Sequence, residues 1–348
     1  MFSAYSNAPF GLLYSRIGLL SFGRFLITCM KKFPTLPQNS TTKGYLIAVV
    51  GTAIWSTTAI FIRVLNQVYG MPPMVVAFWR DFFVALSLGG LFFLVNRKGF
   101  QLDRSHFWFM LSYGLTLAIF NSLWTISVKF NGAAVSTVLI YSSAAFTAIY
   151  ERWMLRSPLG WGKIAAIGLS LAGCILVADA YRLSVWQLNP LGILVGLLSG
   201  AGFTAYSLFG KKAADRAINS WTALLYSFVV ASMFLLLFNL LPDSSTDLSV
   251  LNRLLWLGDS TKGWLLLILL ALGPSVGGYG LYTLSLQYLS ASVSNLIATL
   301  EPSMTAVLAY LFIGERFTLA QILGSIMILA GVVTLRWRER SIRRKTQH

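Results

Sequence analysis

The chain has 348 residues, of which 56% are hydrophobic and 11% are charged. Ordinary soluble domains carry roughly 25% charged residues, so the apolar composition argues against a soluble nucleic-acid binder despite the net charge of +16. The content of Leu, Ile, Val and Phe is too high for a disordered chain. With 2 Cys and 2 His, it has no disulfide framework and no multi-histidine metal site. A membrane protein whose positive charge is confined to particular loops accounts for both the apolar composition and the charge.

Ten stretches are apolar over about 20 residues, the length that a helix needs to cross a bilayer. We therefore predict an all-α integral membrane protein with ten transmembrane helices. The predicted spans, numbered 1 to 10, are Gly44–Val64, Met74–Val95, Phe107–Val128, Ala133–Tyr150, Trp161–Ala178, Pro190–Gly210, Trp221–Leu241, Gly263–Gln287, Ala291–Phe312 and Phe317–Trp337.

The remaining segments are polar or basic. Residues 1–43 hold five basic and no acidic residues and form an N-terminal tail, which is either a surface or targeting segment or the result of a start that truly lies at Met30. Residues 338–348 form a basic C-terminal tail. The longest connection, 242–262, contains an apolar run, Val250–Leu257, which we predict to lie at the membrane interface.

The basic residues alternate between the two sides that ten spans define. With a cytoplasmic N-terminus, 20 of the 27 Lys and Arg fall in the tails and cytoplasmic loops, 6 fall outside, and Arg80 lies within a span. This distribution obeys the positive-inside rule and predicts that both termini are cytoplasmic. We therefore interpret the basic tail as a topology signal, and binding of anionic lipid or nucleic acid is the alternative.

The two halves of the sequence repeat. At an offset of 158 residues, 121–176 aligns with 279–334 without a gap and with 12 identical pairs, among them Ser127/Ser285, Ser136/Ser294 and Gly173/Gly331. Spans 1 and 6 align more weakly at an offset of 148. Because each repeat contains five spans, the second repeat enters the membrane from the opposite side. This arrangement is typical of secondary transporters, and a duplicated scaffold that transports nothing is the alternative.

The motifs of span 9 resemble those of a known family. Glu301-Pro302 within the span, followed by Gly314-Glu315-Arg316, resembles the EamA type of the drug/metabolite transporter superfamily, as do VVAFWRDFF in span 2 and GTAIWSTTAIFIR in span 1. The first half departs from the pattern at Ser143-Ala144 and Arg156-Ser157. The resemblance implies two five-helix repeats, 44–178 and 190–337, and a central cavity surrounded by spans 1, 3, 4, 6, 8 and 9. It also implies transport of small metabolites, often amino acids outward.

Ionisable residues deep in a span are costly and point to a functional site. Glu301 is the strongest candidate, as a proton site, a substrate-amine site or a structural carboxylate. In a continuous helix, Ser294 and Thr305 would share its face, and Ser136 and Ser143 would occupy the corresponding face of span 4. These five residues are therefore candidates for substrate binding or coupling.

Arg80 and Asp81 lie together in span 2. Arg80 is a candidate partner for an anionic substrate or for Glu301. Adjacent residues point about 100° apart on a helix, so we expect Arg80 and Asp81 to need different partners, within the substrate site or in an interfacial ion-pair network.

Further candidates rest on symmetry between the repeats and on backbone flexibility. Aromatic and amide side chains would line a box suited to small amphipathic or cationic solutes, with core packing as the alternative role. These candidates are Trp55, Asn121, Trp124, Tyr141, Tyr279, Tyr282 and Asn295. Helix-breaking residues mark candidate hinges, with close helix packing as the alternative. The hinge candidates are Pro302, Pro274, Gly277 and Gly278.

These observations favour a secondary transporter that exports a small metabolite, such as an amino acid, across the cell membrane by alternating access. The alternatives are an intramembrane enzyme or a non-transporting scaffold; no catalytic constellation and no ATP-binding P-loop pattern appears in the sequence. We expect no cofactor, no metal and no nucleic-acid partner. The expected partners are a small solute, H+ as a candidate coupling ion and the lipid bilayer, with the chain a monomer or a homodimer.

Overall fold

The computed structural model describes residues 41–95, 101–156, 160–182, 189–241, 250–313 and 316–346. This part of the chain is helical and contains no strand. The N-terminal tail lies outside the described residues except for 41–43, so the suggested start at Met30 stays a prediction. The C-terminal tail continues the last helix to Thr346.

The fold is a bundle of fourteen α-helices, one π-helix and one short 3-10 helix within the described ranges. The α-helices, α1 to α14, are Thr41–Trp55, Thr58–Gln67, Pro73–Val95, Phe107–Tyr141, Ser143–Met154, Trp161–Val177, Pro190–Asp215, Ser220–Leu240, Val250–Leu254, Thr261–Leu270, Gly280–Ser285, Ala291–Ala298, Glu301–Ile313 and Leu319–Thr346. The π-helix is Ala271–Tyr279, and the 3-10 helix is Arg104–His106.

Seven helical segments of the described chain are long and apolar enough to cross a membrane. They are Thr41–Gln67, Pro73–Leu94, Arg104–Gly132, Pro190–Asp215, Ser220–Leu240, Thr261–Ser285 and Leu319–Trp337. A shorter apolar helix, Trp161–Val177, coincides with predicted span 5. The two other predicted spans, 4 and 9, are interrupted by breaks and contain no uninterrupted helix of that length. An integral membrane protein is therefore confirmed, whereas the count of ten stays a prediction.

The interruptions fall at particular residues. Gly132 has φ 77° inside α4, a left-handed conformation that glycine adopts without a Cβ penalty, and it separates predicted spans 3 and 4. Span 9 breaks at Thr299–Leu300, which places Pro302 in the first turn of α13, where its missing N–H leaves no helical hydrogen bond unmade. Pro274 lies inside the π-helix, where the Ser275 hydroxyl donates to the Leu270 carbonyl at 2.8 Å.

The predicted hinge residues are therefore at real irregularities of the helices. Gly277 and Gly278 belong to the same π-helix as Pro274. π-Helical segments are rare and are frequently found at functional sites. Whether these positions move during a functional cycle stays a prediction.

The sequence repeat is matched by repeated contacts. Ser127 and Ser136 lie 2.9 Å apart through their hydroxyls, and their counterparts at the offset of 158, Ser285 and Ser294, lie 3.2 Å apart. At the crossing of α6 and α14, Gly173 contacts Gly324, and the counterpart pair, Gly331 and Ala166, is in contact as well. The two halves thus pack through equivalent residues.

The first part of the apolar run within the longest connection forms the short helix α9, Val250–Leu254. Arg253 is buried and donates to the Asn239 carbonyl. Trp79 Nε1 donates to the Leu254 carbonyl at 2.8 Å, and Trp256 Nε1 donates to the Tyr69 carbonyl at 2.8 Å. These contacts fix α9 against the ends of α3 and α8.

The glycine crossing gives a stability prediction. A Cβ on Gly173 would lie 2.5 Å from the Gly324 carbonyl oxygen, too close for the two backbones to keep their positions. We expect Gly173→Ala to lower the free energy of unfolding by about 1–3 kcal/mol, as overpacking does. The measurement is thermal unfolding of the detergent-solubilised protein.

Gly168 on the same helix is the matched control, because a Cβ there would meet nothing within 4 Å. Gly168→Ala should leave the melting temperature unchanged or raise it, since Ala favours a helix by about 1 kcal/mol over Gly. Equal melting temperatures for the two variants would contradict the close backbone contact between Gly173 and Gly324.

Candidate functional site

A cavity of about 500 Å³ opens between the helices at one end of the bundle. Its walls are mostly apolar, and its polar lining includes the predicted residues Arg80, Trp124, Glu301 and Thr305. A smaller recess of about 60 Å³ is also lined by Arg80, Trp124 and Glu301, and it adds Trp55, Asn121, Tyr141 and Tyr279. The tertiary structure therefore brings eight of the predicted site residues together around the cavity and the recess, which share Arg80, Trp124 and Glu301. Pro302 lines the cavity as well.

Glu301 owes its position to the helix break. It is the first residue of α13, so its carboxylate lies at a helix N-terminus, where the exposed N–H groups favour negative charge. The Tyr141 hydroxyl, from the end of α4, donates to this carboxylate. Glu301 is half-buried, and it is the only carboxylate lining the cavity among the described residues.

Arg80 and Asp81 pair with each other, so the expectation that they need different partners is wrong. Arg80 Nε donates to Asp81 Oδ1 at 3.0 Å, and Asn121 Nδ2 donates to Asp81 Oδ2 at 2.9 Å. The arginine side chain is long enough to reach back across the 100° between adjacent helix positions. Because Asp81 is fully buried, water cannot replace Arg80 as its partner. Arg80 does not pair with Glu301.

The ion pair leaves one end of the guanidinium unused. Arg80 is 5% exposed, and its buried Nη2 has no hydrogen-bond partner among the described residues. The guanidinium carbon lies 5.9 Å from the centroid of the Tyr279 ring, within reach of a cation–π contact. Asp81 and Tyr279 thus hold in place a cation that borders both the cavity and the recess.

The predicted aromatic box is formed only in part. Trp55 packs on Tyr279 with ring centroids 4.4 Å apart, and on Phe203 and Tyr282 at 5.8 Å each. Trp55, Phe203 and Tyr279 line the recess, and Tyr282 packs against Trp55 outside its lining. Trp124 lines both the cavity and the recess.

The other predicted residues lie away from the cavity. Ser294 bonds Ser285 and Ser136 bonds Ser127, each buried within its own half. The shared face with Glu301 assumed one continuous helix, but the break at Thr299–Leu300 separates Ser294 from Glu301, and a break at Ser142 interrupts span 4. Ser143 is fully buried beneath the Thr204 hydroxyl, which donates to its carbonyl at 3.2 Å.

Tyr282 and Asn295 belong to a buried polar network rather than to the cavity. The Tyr282 hydroxyl donates to Asn295 Oδ1 at 2.5 Å and lies 2.7 Å from the Ser207 hydroxyl. Asn295 Nδ2 donates to the Thr147 hydroxyl at 2.7 Å. This network joins four helices at the end of the bundle opposite the cavity mouth.

Sequence reasoning missed two kinds of residue. Thr58, Thr125 and Thr137 line the cavity, but a lone threonine in an apolar span carries no distinguishing signal. Glu151 lies at a span end, where a charged residue is no sign of a site, yet it is 3% exposed and bonds both Lys163 and Ser292. Its repeat counterpart is Ala309, and this unequal pair was the available signal.

Nothing in the described part of the chain forms a group of three or more His, Cys, Asp or Glu that could hold a metal ion. The thiol of Cys174 is buried, and its Sγ lies 3.6 Å from the Thr299 carbonyl at the helix break. The site can therefore bind a small solute through one guanidinium, one carboxylate and several hydroxyls.

The Arg80–Asp81 pair gives a stability prediction. Asp81→Ala would leave a buried guanidinium without its counter-ion, which costs roughly 3–5 kcal/mol. Asp215→Ala is the control, since Asp215 pairs with Lys211 but its side chain is 61% exposed, and exposed pairs contribute about 0–1 kcal/mol. Thermal unfolding in detergent compares the two variants, and a similar loss in both would show that the buried pair is not important for stability.

Comparison with known proteins places this geometry in a family. A protein named "Probable amino-acid metabolite efflux pump" from Escherichia coli is 26% identical over 313 residues, covering 85% of this chain and 97% of its own length. An "Uncharacterized transporter" from Archaeoglobus fulgidus is 25% identical over 300 residues, covering 85% and 97%. A solved crystal structure superposes with a TM-score of 0.70 at 14% identity, covering 86% of this chain and 99% of the other.

The superposition shows a shared fold, and the named relatives are transporters rather than enzymes. The model of the EamA-like transporter family matches the chain twice, over residues 42–178 and 190–337. The family domain is thus duplicated, with the cavity between its copies, and a membrane transporter has a small-molecule solute as its partner. The chain belongs to the EamA-like transporter family.

Proposed function

We propose that this protein is a secondary transporter that exports a small amino-acid-like solute across the cell membrane by alternating access. The observation that carries the proposal is the cavity of about 500 Å³ with a guanidinium, Arg80, and a carboxylate, Glu301, in an otherwise apolar and hydroxyl-bearing lining. Sites for small molecules commonly occupy about 300–1,000 Å³ and place a few polar groups in apolar walls. The name of the Escherichia coli relative supports an amino-acid metabolite as the solute.

The chemistry of the two charges fits a zwitterion. The buried Nη2 of Arg80, which has no partner among the described residues, can donate to a solute carboxylate, and charge-assisted hydrogen bonds are roughly twice as strong as neutral ones. The Glu301 carboxylate, held by Tyr141, can accept from a solute ammonium group. The apolar wall, including Ile60, Val76 and Val128, would contact the solute side chain.

The direction of opening follows from the charge distribution. The cavity mouth is formed by residues at span ends that the basic residues predict to be outside, such as Asn66, Val128 and Gln321. In the proposed topology, ten spans form two inverted repeats, 44–178 and 190–337, with cytoplasmic N- and C-terminal tails. The described conformation is then open to the outside, which is the state in which an exporter releases its solute.

Glu301 also supplies a coupling site. As the only carboxylate on the lining within the described residues, it can hold a proton when no solute ammonium is present. Exchange of a proton for a solute at one carboxylate couples the two fluxes, because both cannot bind at once. H+ is therefore the proposed coupling ion.

Solute counterflow in proteoliposomes tests the proposal. The unmodified protein should exchange one or more radiolabelled amino acids, and Arg80→Lys should reduce that exchange by about tenfold or more, because Lys keeps the charge beside Asp81 but loses the planar donor pair. Gln321→Ala at the cavity mouth is the control and should retain exchange. If well-folded protein exchanges no amino acid with or without a pH gradient, the assignment as an amino-acid transporter fails.

Glu301→Gln separates solute binding from coupling. We expect this variant to lose the dependence of exchange on the pH gradient, since an amide carries no titratable proton, and to bind amines more weakly. Uptake at several external pH values measures the effect, with Asp215→Asn as the control carboxylate. An unchanged pH dependence in Glu301→Gln would remove Glu301 from coupling.

A further inference from the structure

The end of the bundle opposite the cavity is closed around one carboxylate. Glu151 Oε2 lies 3.0 Å from Lys163 Nζ and accepts from the Ser292 hydroxyl at 2.5 Å, while Oε1 accepts from the Ser292 backbone N–H at 2.9 Å. The carboxylate thus ties the end of α5 to the first turns of α6 and α12. Its bond to a free N–H of α12 has the geometry of a helix cap supplied by another helix.

The residues at the equivalent positions of the other half lie along the cavity. The counterparts of Glu151, Lys163 and Ser292 at the offset of 158 are Ala309, Gln321 and Ala134. All three counterparts line the cavity. The pseudo-equivalent positions are therefore joined at one end of the molecule and separated by the cavity at the other, and the separated set contains neither an acid nor a base.

A second group of buried polar residues shows the same difference between the closed end and the cavity. Ser207, Tyr282 and Asn295 are hydrogen-bonded to one another, and Asn295 lies about one turn along α12 from Ser292. Their counterparts are Ala59, Trp124 and Thr137, all of which line the cavity. The closed end thus has six polar or charged positions whose counterparts lie along the open pathway.

We propose that Glu151, Lys163 and Ser292 form a latch that holds the predicted cytoplasmic end closed while the cavity is open at the other end. The proposal rests on the alternating access of the proposed function. To open the cytoplasmic end, α5 must separate from α12, and Glu151 must release the Ser292 N–H and hydroxyl. No equivalent charged latch exists at Ala309, Gln321 and Ala134, so the free protein favours the outward-open state.

A latch at one end only requires the two halves to differ in sequence at the latch positions. Two identical halves would make the inward-open and outward-open states equal in free energy. A charge-assisted contact made in only one state shifts the equilibrium toward that state, by its difference in free energy between the two. Solute binding from the cytoplasm would then need to offset the loss of the latch before the transporter can turn over.

Hydrogen–deuterium exchange of the solute-free protein in lipid nanodiscs tests the latch at both ends at once. In Glu151→Gln, the side chain keeps its size but loses its charge and one acceptor. We expect amide exchange in 291–298 to accelerate roughly tenfold, the order by which losing such a bond shifts a two-state equilibrium. Exchange in 58–67, beside the cavity, should slow in the same variant, because the outer end closes as the inner end opens.

Arg152→Gln is the matched control, since Arg152 is the next residue and is exposed, and it should leave both regions unchanged. Acceleration in 291–298 without slowing in 58–67 would make Glu151 a local helix cap only and overturn the proposal. If Glu151→Gln does not fold, Ser292→Ala and Lys163→Gln should shift both regions in the same reciprocal directions, and no reciprocal shift in either would also overturn it.

The measurement is independent of the solute. A protein that shows reciprocal exchange but no counterflow would have the latch without the proposed amino-acid transport. A protein that shows counterflow but no reciprocal exchange would be a transporter in which Glu151 has only a structural role.

Discussion

The absence of water in a bilayer is the constraint on which the rest of this structure depends. Backbone N–H and C=O groups within lipid must bond to each other, which leaves helices as the available structure for this chain. Irregular backbone is tolerated only where protein or a water-filled cavity covers it. The break at Thr299–Leu300 obeys this rule, since Thr299 is fully buried and its carbonyl faces the Cys174 thiol.

That break creates the site. By starting a new helix at Glu301, it places a carboxylate at a helix N-terminus inside the membrane, beside the cavity and within reach of Tyr141. Pro302 in the same turn prevents the helix from continuing unbroken through this point. The Arg80–Asp81 pair solves the corresponding problem for a cation, because Asp81 neutralises a buried guanidinium whose Nη2 has no hydrogen-bond partner among the described residues. Both charged groups therefore have a polar partner at depth, and both line the cavity.

The rest of the structure consists of two copies of one domain whose sequences have diverged. The equivalent contacts, such as Ser127–Ser136 and Ser285–Ser294, hold each half in the same internal shape. The divergent positions, such as Glu151 and its counterpart Ala309, lie at the closed and open ends. The proposed alternating access requires halves similar enough to exchange conformations and different enough to favour one of them. We propose that separate sets of residues supply these two properties.

The sequence by itself determined the membrane class, the repeat offset and the candidates Arg80, Trp124 and Glu301, because hydropathy, basic-residue spacing and costly charges at depth are local or periodic signals. Only the tertiary structure decided which candidates meet. In the folded chain, Arg80 pairs with Asp81, and a helix break separates Ser294 from Glu301. Glu151 bonds Ser292, which lies 141 residues away along the chain. Helical spacing predicts shared faces only where the helix is continuous, and contacts between distant helices depend on packing that no local pattern encodes.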